Sequence, residues 1–236
     1  MSGPGDGAPA SVTEPGPSLP EPTFALDDID FVPFAAAPTL RFRFSVSEPS
    51  EREVYTIALS IQINIDPARR TYDAPARERL YELFGEPERW PATTRSFFWT
   101  RADTMIQGFV GRTTFEVAVP CTYDLEVAAS KYMASLPDGA VPLGLHFSGR
   151  VFYRSDEDRL QVVPVSWSGS VQCELPVAVW QGMIAHHYPH GGWIRLHDDT
   201  LDLLSRYKAR RGVTSFDAAV VDLLAAGRMT EEDDDG

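Results

Sequence analysis

The chain has 236 residues, which is long enough for one large domain or two small ones and for a core that needs neither disulfides nor metal. Its formal net charge of −13 is concentrated at the ends, since residues 1–30 hold six acidic residues and no Lys or Arg, and residues 231–235 are all acidic. The remainder is nearly neutral, which excludes a general attraction to phosphate and argues against nucleic acid as a partner.

Cysteine use and hydropathy indicate the cellular compartment. Cys121 and Cys173 are too few for a disulfide framework or a four-cysteine zinc site, which fits a reducing environment. The N-terminus lacks the basic and apolar regions of a signal peptide, and no stretch approaches the roughly 20 apolar residues of a membrane-spanning helix. We therefore expect a cytoplasmic protein without membrane contact.

Composition divides the chain into four segments. Residues 1–28 are acidic and rich in Pro and Gly, so they cannot offset the entropy of ordering, and they are predicted to be disordered, as is the acidic tail 229–236. Between them we expect a β-rich α+β core over residues 29–189. A strand and a helical hairpin over residues 190–228 are expected to pack on this core.

Alternation of apolar and polar residues predicts the strands. The longest run extends from Tyr55 to Ile65, where six large apolar side chains alternate with small or polar ones. A register slip of one residue would expose all six, so the pairing of this strand should be firmly fixed. Other strands are predicted over 40–46, 114–119, 143–153, 160–167 and 171–175.

Helices are predicted where a capping residue or proline precedes an apolar stripe at helical spacing. They run from Asp73 to Gly85, from Thr122 to about Leu136, from Pro176 to Pro189, from Asp198 or Asp199 to Gly212, and from Ser215 to Gly227, with a loop over 86–95. Because strands come first and helices mainly last, the sequence predicts an α+β fold with an antiparallel β-sheet or sandwich core and C-terminal helices packed on it.

The densest histidine cluster is a candidate metal site. His186, His187 and His190 lie close together, but Pro189 ends the helical face that would align two imidazoles, and no adjacent Cys or Glu offers a further ligand. A polar helix end near the C-terminal dipole explains the same residues and is favoured. Since glycine-rich phosphate loops are also absent from the sequence, no cofactor is predicted.

Cys121 and Asp124 are the candidate catalytic residues. Cys121 follows Pro120 at a predicted strand-to-helix junction, where backbone N–H groups can stabilise a thiolate. No base is tied to it by spacing, so a small packed side chain is the favoured interpretation. Asp124 is better explained as a carboxylate in the first turn of the following helix.

The segment that begins at Trp193 resembles the ribbon-helix-helix fold of dimeric bacterial repressors and antitoxins, in which a short strand precedes two helices. The resemblance implies that Trp193, Arg195 and His197 would read the major groove. Basic residues in the following helix support this candidate binding surface. A helical hairpin that closes the core explains the same residues and is favoured, since basic side chains stabilise helix C-termini.

Three stretches, over residues 83–90, 119–124 and 145–152, resemble an uncharacterised actinobacterial family whose members lie beside nickel-iron hydrogenase genes. The resemblance implies an accessory or assembly role. A second resemblance, carried by residues 28–31 and the strand that begins at Val54, is to the SecB export chaperone. It implies a β-rich surface with apolar grooves that hold a client segment.

The residues favour a non-enzymatic binding or assembly accessory factor with a protein partner, linked through the family resemblance to hydrogenase maturation. Two alternatives stay open. One is a DNA-binding dimer that uses the ribbon-helix-helix-like segment, and the other is an enzyme that uses Cys121 or the histidine cluster.

Overall fold

The structure is a computed structural model that describes residues 19–50, 52–121, 124, 127–155, 157–166, 170–189 and 194–234. The chain divides into two compact units, one up to residue 192 and one from residue 193 onward. The first unit contains all the strands found in these ranges, and the second consists of two helices.

The first unit is built from runs of consecutive strands separated by short helices and turns. The strands are β1 (Thr23–Phe31), β2 (Thr39–Ser47), β3 (Val54–Ile65), β4 (Phe97–Phe109), β5 (Arg112–Pro120), β6 (Ala140–Arg154), β7 (Leu160–Pro164) and β8 (Ser170–Pro176). Its helices are α1 (Ala74–Phe84), α2 (Trp90–Thr93), α3 (Ala128–Ala134) and α4 (Val177–His187), with 3-10 turns at Pro67–Arg69 and Pro87–Arg89. The second unit contains α5 (Asp198–Arg211) and α6 (Phe216–Asp234).

The strands form two antiparallel sheets. The smaller sheet has the order β1-β2-β5, and the larger has the order β4-β3-β6-β7, with β8 also paired to β6. Contacts between phenylalanine rings show that the sheets pack face to face. Phe24 of β1 stacks on Phe147 of β6 with 4.7 Å between ring centroids, and Phe44 of β2 meets Phe147 edge to face at 5.9 Å. The predicted α+β class is confirmed.

The core lies between the sheets and under α4. The inward side chains of β3, among them Ile57, Ile61 and Ile65, are fully buried, which matches the predicted alternation. β3 is the central strand, since it pairs with β4 on one side and β6 on the other. Helix α4 packs against β1 and β8 and buries Trp180 and Met183.

The acidic N-terminal segment departs from its prediction. Disorder was expected up to residue 28, yet β1 begins at Thr23 and pairs with β2. Asp28 forms an ion pair with Arg43, and Asp30 accepts two hydrogen bonds from Arg41, which lower the pKa of this carboxyl below its usual range. The acidic residues therefore have long-range basic partners that composition alone does not reveal.

Other boundaries also differ from the sequence predictions. Strand β4, with 13 residues, was not predicted, and α2 lies within the predicted loop 86–95. Residues 194–197 form no strand, so the predicted strand that opens the ribbon-helix-helix-like segment is wrong over those positions. Helix α6 continues past Gly227 to Asp234. The predicted helix start at Thr122 lies outside the described residues.

The predicted caps at Asp73, Gly212 and Ser215 are confirmed, whereas the predicted cap at Asp198 or Asp199 is wrong, because His197 takes the N-cap position of α5 and both aspartates lie in its first turn. The Asp73 side chain accepts a hydrogen bond from the Ala76 backbone N–H at 2.9 Å, and α1 ends at Gly85. Gly212 closes α5 in the left-handed conformation, with φ of 67°. The Ser215 hydroxyl accepts from the Ala218 backbone N–H at 3.0 Å at the start of α6.

Candidate functional site

Cys121 lies just after β5 and is covered by the fold. Its Sγ donates to the backbone carbonyl of Val119 at 3.3 Å, and its backbone N–H donates to Pro38 at 2.7 Å. Burial raises the pKa of the thiol to about 12, so it is protonated at neutral pH. Asp124 is half-buried, and its backbone carbonyl accepts from Val127. This geometry favours a packing role for Cys121 over a nucleophilic one.

His187 uses both ring nitrogens for contacts within the chain. Its Nδ1 lies 3.0 Å from the carbonyl oxygen of Met183, one turn earlier in α4, and its Nε2 lies 3.3 Å from the carbonyl oxygen of Ala35. A neutral imidazole has one N–H and a carbonyl oxygen only accepts, so the ring donates to one of these two carbonyls at a time. The contacts link α4 to the loop that follows β1.

His186 is exposed and contacts aromatic rings. Its ring centroid lies 6.0 Å from those of Phe31 and Phe34. His190 lies outside the described residues. Among the residues that the structure describes, no group of three or more His, Cys, Asp or Glu side chains is placed to hold a metal ion.

The predicted base-reading residues precede α5. Trp193 lies outside the described residues, whereas Arg195 and His197 are exposed in a segment without regular structure. His197 stands at the N-cap position of α5, where its carbonyl accepts from the Leu201 backbone N–H at 2.9 Å. The local geometry explains His197 as the start of a helix.

Two basic side chains of α5, those of Lys208 and Arg211, contact residues of α6. Arg211 donates two hydrogen bonds, of 2.6 and 2.8 Å, to the carboxylate of Asp222 in α6, and the Lys208 ammonium lies 5.3 Å from the ring centroid of Phe216. Hydrogen bonds from Arg211 and from the Tyr207 hydroxyl lower the pKa of Asp222 to about 2. These contacts join the two helices and reduce the basic charge available to phosphate.

The hairpin exposes apolar side chains. On α6 we call Phe216, Val220, Leu223 and Leu224 the α6 stripe, because their spacing of four, seven and eight residues puts them on one helix face. All four are exposed, and Leu224 retains 61% of its accessible surface. Soluble proteins rarely leave a contiguous apolar face uncovered, so the stripe is a candidate protein-binding surface.

A second candidate site is a cleft of about 500 Å³ in the first unit. It lies where the turn after β3 and the start of α1 meet the Pro87–Arg89 turn and α2. Its walls are mainly apolar and include Pro67, Tyr72, Pro87, Trp90 and Pro91. Pockets of this size, with apolar walls and few polar groups, are typical of small-molecule sites.

The aromatic wall of the cleft is held rigidly. The Tyr72 and Trp90 rings meet edge to face with centroids 5.4 Å apart, and the Trp90 indole N–H donates to the carbonyl of Gly85 at 2.9 Å. The Tyr72 hydroxyl donates to the carbonyl of Pro67 at 2.8 Å and lies 2.7 Å from the Tyr132 hydroxyl. Burial raises the pKa of Tyr72, so its hydroxyl stays neutral.

The polar side chains of the cleft differ in whether they have hydrogen-bond or ion-pair partners. Arg70 donates to the backbone carbonyls of Asp138 and Ala140, each at 2.7 Å. Arg77 and Glu88 are exposed and, within the described part of the chain, have no side-chain ion pair. Thr94 is buried, and its hydroxyl has no hydrogen-bond partner among the described residues.

None of the cleft residues was predicted as a site residue. They come from turns and short helices between β3 and β4, where neither alternation nor a motif indicates a function. The one sequence signal is the concentration of Pro, Trp and Tyr in residues 67–91, which is unusual for a loop exposed to solvent.

The fold defines the chain as an α+β protein with two packed antiparallel sheets and C-terminal helices. Residues 19–232 match the Family of unknown function (DUF6084), and the chain belongs to this family. No curated protein matches it. Within the described residues, no helix combines the length and apolarity required to cross a bilayer.

Three solved structures show distant similarity. A protein described as late embryogenesis abundant (LEA) is 18% identical, with 67% of this chain and 72% of that chain covered and a TM-score of 0.30. A protein described as ApaA of Bordetella pertussis is 8% identical, with 66% of this chain and 95% of that chain covered and a TM-score of 0.24. A β-glucosidase of Kluyveromyces marxianus is 9% identical, with 67% and 15% covered and a TM-score of 0.24.

Proposed function

We propose that this protein is a non-enzymatic binding or assembly factor of the cytoplasm, that its partner is a protein, and that it serves hydrogenase maturation. The observation that carries the proposal is the α6 stripe. Its four apolar side chains lie on one face of a helix and are open to solvent, and burying such a face against a partner is a common mode of helix recognition.

The hairpin has a structure suited to such a role. The ion pair between Arg211 and Asp222 joins its helices and a Ser cap begins α6, while Ala219 is the only fully buried apolar side chain described in this unit. The hairpin therefore gains little stability from apolar burial of its own. A partner that covers the stripe would add the apolar burial that the hairpin lacks.

The link to hydrogenase maturation rests on the family resemblance noted in the sequence. Family membership assigns no reaction. The partner expected from the resemblance is a hydrogenase subunit or one of its maturation proteins, which affinity capture can identify directly.

The test is affinity capture of the tagged full-length chain from its native host, followed by mass spectrometry. Three forms are compared: the wild type, Leu224→Lys, and Ala225→Lys. The two substitutions add the same charge to neighbouring positions of α6, but only Leu224 lies on the stripe. We expect the wild type and Ala225→Lys to recover a hydrogenase component. Leu224→Lys should recover at least about tenfold less of this component than the wild type does, since a charge buried in an apolar interface is strongly unfavourable.

Circular dichroism must show equal helix content in both variants, because Leu224 is exposed and its replacement should leave the fold intact. A wild-type capture without any enriched protein contradicts the proposal. Equal recovery by both variants would exclude the stripe as the binding surface. Recovery of only a second copy of the chain would show self-association in place of assembly of a partner.

A further inference from the structure

The cleft beside α2 is separate from the α6 stripe and from every site residue that the sequence predicted. We propose that it binds a small aromatic carboxylic acid, with the ring between the Trp90, Tyr72 and proline walls and the carboxylate on Arg77. This inference is independent of the proposed protein partner. It rests on the walls of the cleft, one buried hydroxyl and one unpaired guanidinium group.

The walls select an apolar and planar body. Trp90 and Tyr72 are fixed by hydrogen bonds to Gly85 and Pro67, so their rings keep a constant orientation. Rigid aromatic and proline surfaces favour a flat ring through dispersion and edge-to-face contacts. A sugar or another polyol would need several polar partners along these walls, and the walls provide few.

The buried hydroxyl of Thr94, a residue that lines the cleft, indicates a polar contact with a ligand. Thr94 retains 8% of its accessible surface, and its Oγ has no partner in the part of the chain that the structure describes. Native structures rarely leave such a group unsatisfied. Because rotation about the Cα–Cβ bond redirects a threonine hydroxyl, Thr94 can turn toward a polar atom on a ligand that fills the cleft.

The guanidinium of Arg77 indicates the charge of the ligand. It lies at the exposed rim and forms no ion pair with any described residue, whereas Arg70 on the same cleft is already engaged by two carbonyls. A guanidinium fork matches a carboxylate through two parallel hydrogen bonds. Glu88 also lines the cleft and repels anions. A small anion without an apolar body should therefore bind poorly.

The experiment titrates the full-length protein with 2-naphthoate, indole-3-acetate and 3-phenylpropionate, and with the primary amide of each acid. Binding is measured by isothermal titration calorimetry and by the shift in melting temperature. We expect at least one acid to bind with a dissociation constant of about 1 mM or below, and its amide to bind at least about tenfold more weakly, because the amide lacks the charge. Acetate should not compete.

Two pairs of variants locate the site. Arg77→Gln should weaken binding at least about tenfold, whereas Arg89→Gln, which removes the same charge from an exposed position outside the cleft, should not. Thr94→Val should raise the melting temperature of the free protein, since it removes an unsatisfied hydroxyl, and should weaken binding of indole-3-acetate, whose ring N–H is the one polar group that these acids carry besides the carboxylate. A purely structural threonine would not show these two opposite effects, and Thr94→Ser should restore binding.

The proposal is overturned if none of the acids binds the wild type, or if acids and amides bind equally. It is also overturned if Arg77→Gln and Arg89→Gln have the same effect. None of these outcomes depends on the α6 stripe, so failure here leaves the proposed protein partner untouched.

Discussion

The two units of the chain use their apolar residues in opposite ways. In the first unit, the inward side chains of β2 and β3 are removed from water and pack between two sheets. In the second, most of the large apolar side chains described on α5 and α6 remain exposed, and polar contacts such as that between Arg211 and Asp222 join the helices. The difference indicates that the first unit is stabilised by its own core, whereas the second presents apolar surface for recognition.

The largest effect should come from Gly149 in β6. A Cβ atom at this position would lie 2.1 Å from the backbone carbonyl oxygen of Ala58, and φ is 154°. Gly149→Ala should therefore force β3 and β6 apart and lower the free energy of unfolding by about 3 kcal/mol or more. Urea denaturation followed by tryptophan fluorescence measures this loss.

The control is Gly227→Ala in α6, where an added Cβ meets nothing within 4 Å among the described residues. It should stabilise its helix slightly, by up to about 1 kcal/mol. Equal stabilities of Gly149→Ala and the wild type would show that β3 and β6 do not approach as closely as described.

The next-largest effect on stability should come from a buried apolar residue of the first unit, compared with an exposed one of the second. Ile61 in β3 is fully buried, and Ile61→Ala should lower the free energy of unfolding by about 3 kcal/mol through lost apolar burial and the cavity that remains. Leu203 in α5 retains 67% of its accessible surface, so Leu203→Ala should change the free energy by no more than about 0.5 kcal/mol. Similar losses in both variants would contradict the contrast between the units.

A smaller effect is expected from the polar contacts of the hairpin. The pKa of Asp222 is lowered to about 2 from an ordinary value of 3.8, so its stabilising contribution is present above pH 4 and is lost as the pH falls through 2. Asp222→Asn should increase hydrogen exchange of the α5 and α6 amides at neutral pH and remove this acid dependence.

Asp202→Asn is the matched control, because it breaks one 3.5 Å contact to Arg206 on the same helix. It should change exchange much less than Asp222→Asn does. If exchange in the hairpin is unaffected by either change, apolar contacts and not ion pairs hold the helices together.

The smallest effect at neutral pH concerns Cys121. Burial raises the pKa of its thiol to about 12 from an ordinary value of 9.0, so the folded state favours the protonated form. Below pH 9 the thiol is protonated in both the folded and the unfolded state, so its titration does not change stability. As the pH rises from 9 toward 12, the thiol loses its proton more readily in the unfolded state, and the free energy of unfolding falls. In a Cys173→Ala background, a disulfide reagent at pH 8 should modify Cys121 only as fast as the protein opens. Rapid modification of the native protein would revive the nucleophile hypothesis.

Local patterns in the sequence were sufficient for the central strands and for several helix ends. The alternation over β3 has one low-energy solution, in which its isoleucines face a core, and the caps at Asp73, Gly212 and Ser215 act within one turn of the chain. Such signals involve neighbouring residues, so they can be read without knowing the fold.

β1 and β4 could not be predicted in this way. β1 contains Asp27, Asp28 and Asp30, whose partners Ser45, Arg43 and Arg41 lie on β2. β4 is an edge strand in the larger sheet, where only Ile106 is fully buried and the alternation is weak. Both strands depend on pairing between distant residues.

By itself, the sequence determined the α+β class, the central strands and the acidic ends, because apolar periodicity, capping and charge are properties of neighbouring residues. Only the tertiary structure decided that Cys121 is buried, that His187 contacts two carbonyls, and that Trp90, Arg77 and Thr94 share one cleft. These facts depend on which segments distant in sequence come into contact, and the packing of the whole core supplies the free energy that stabilises those contacts.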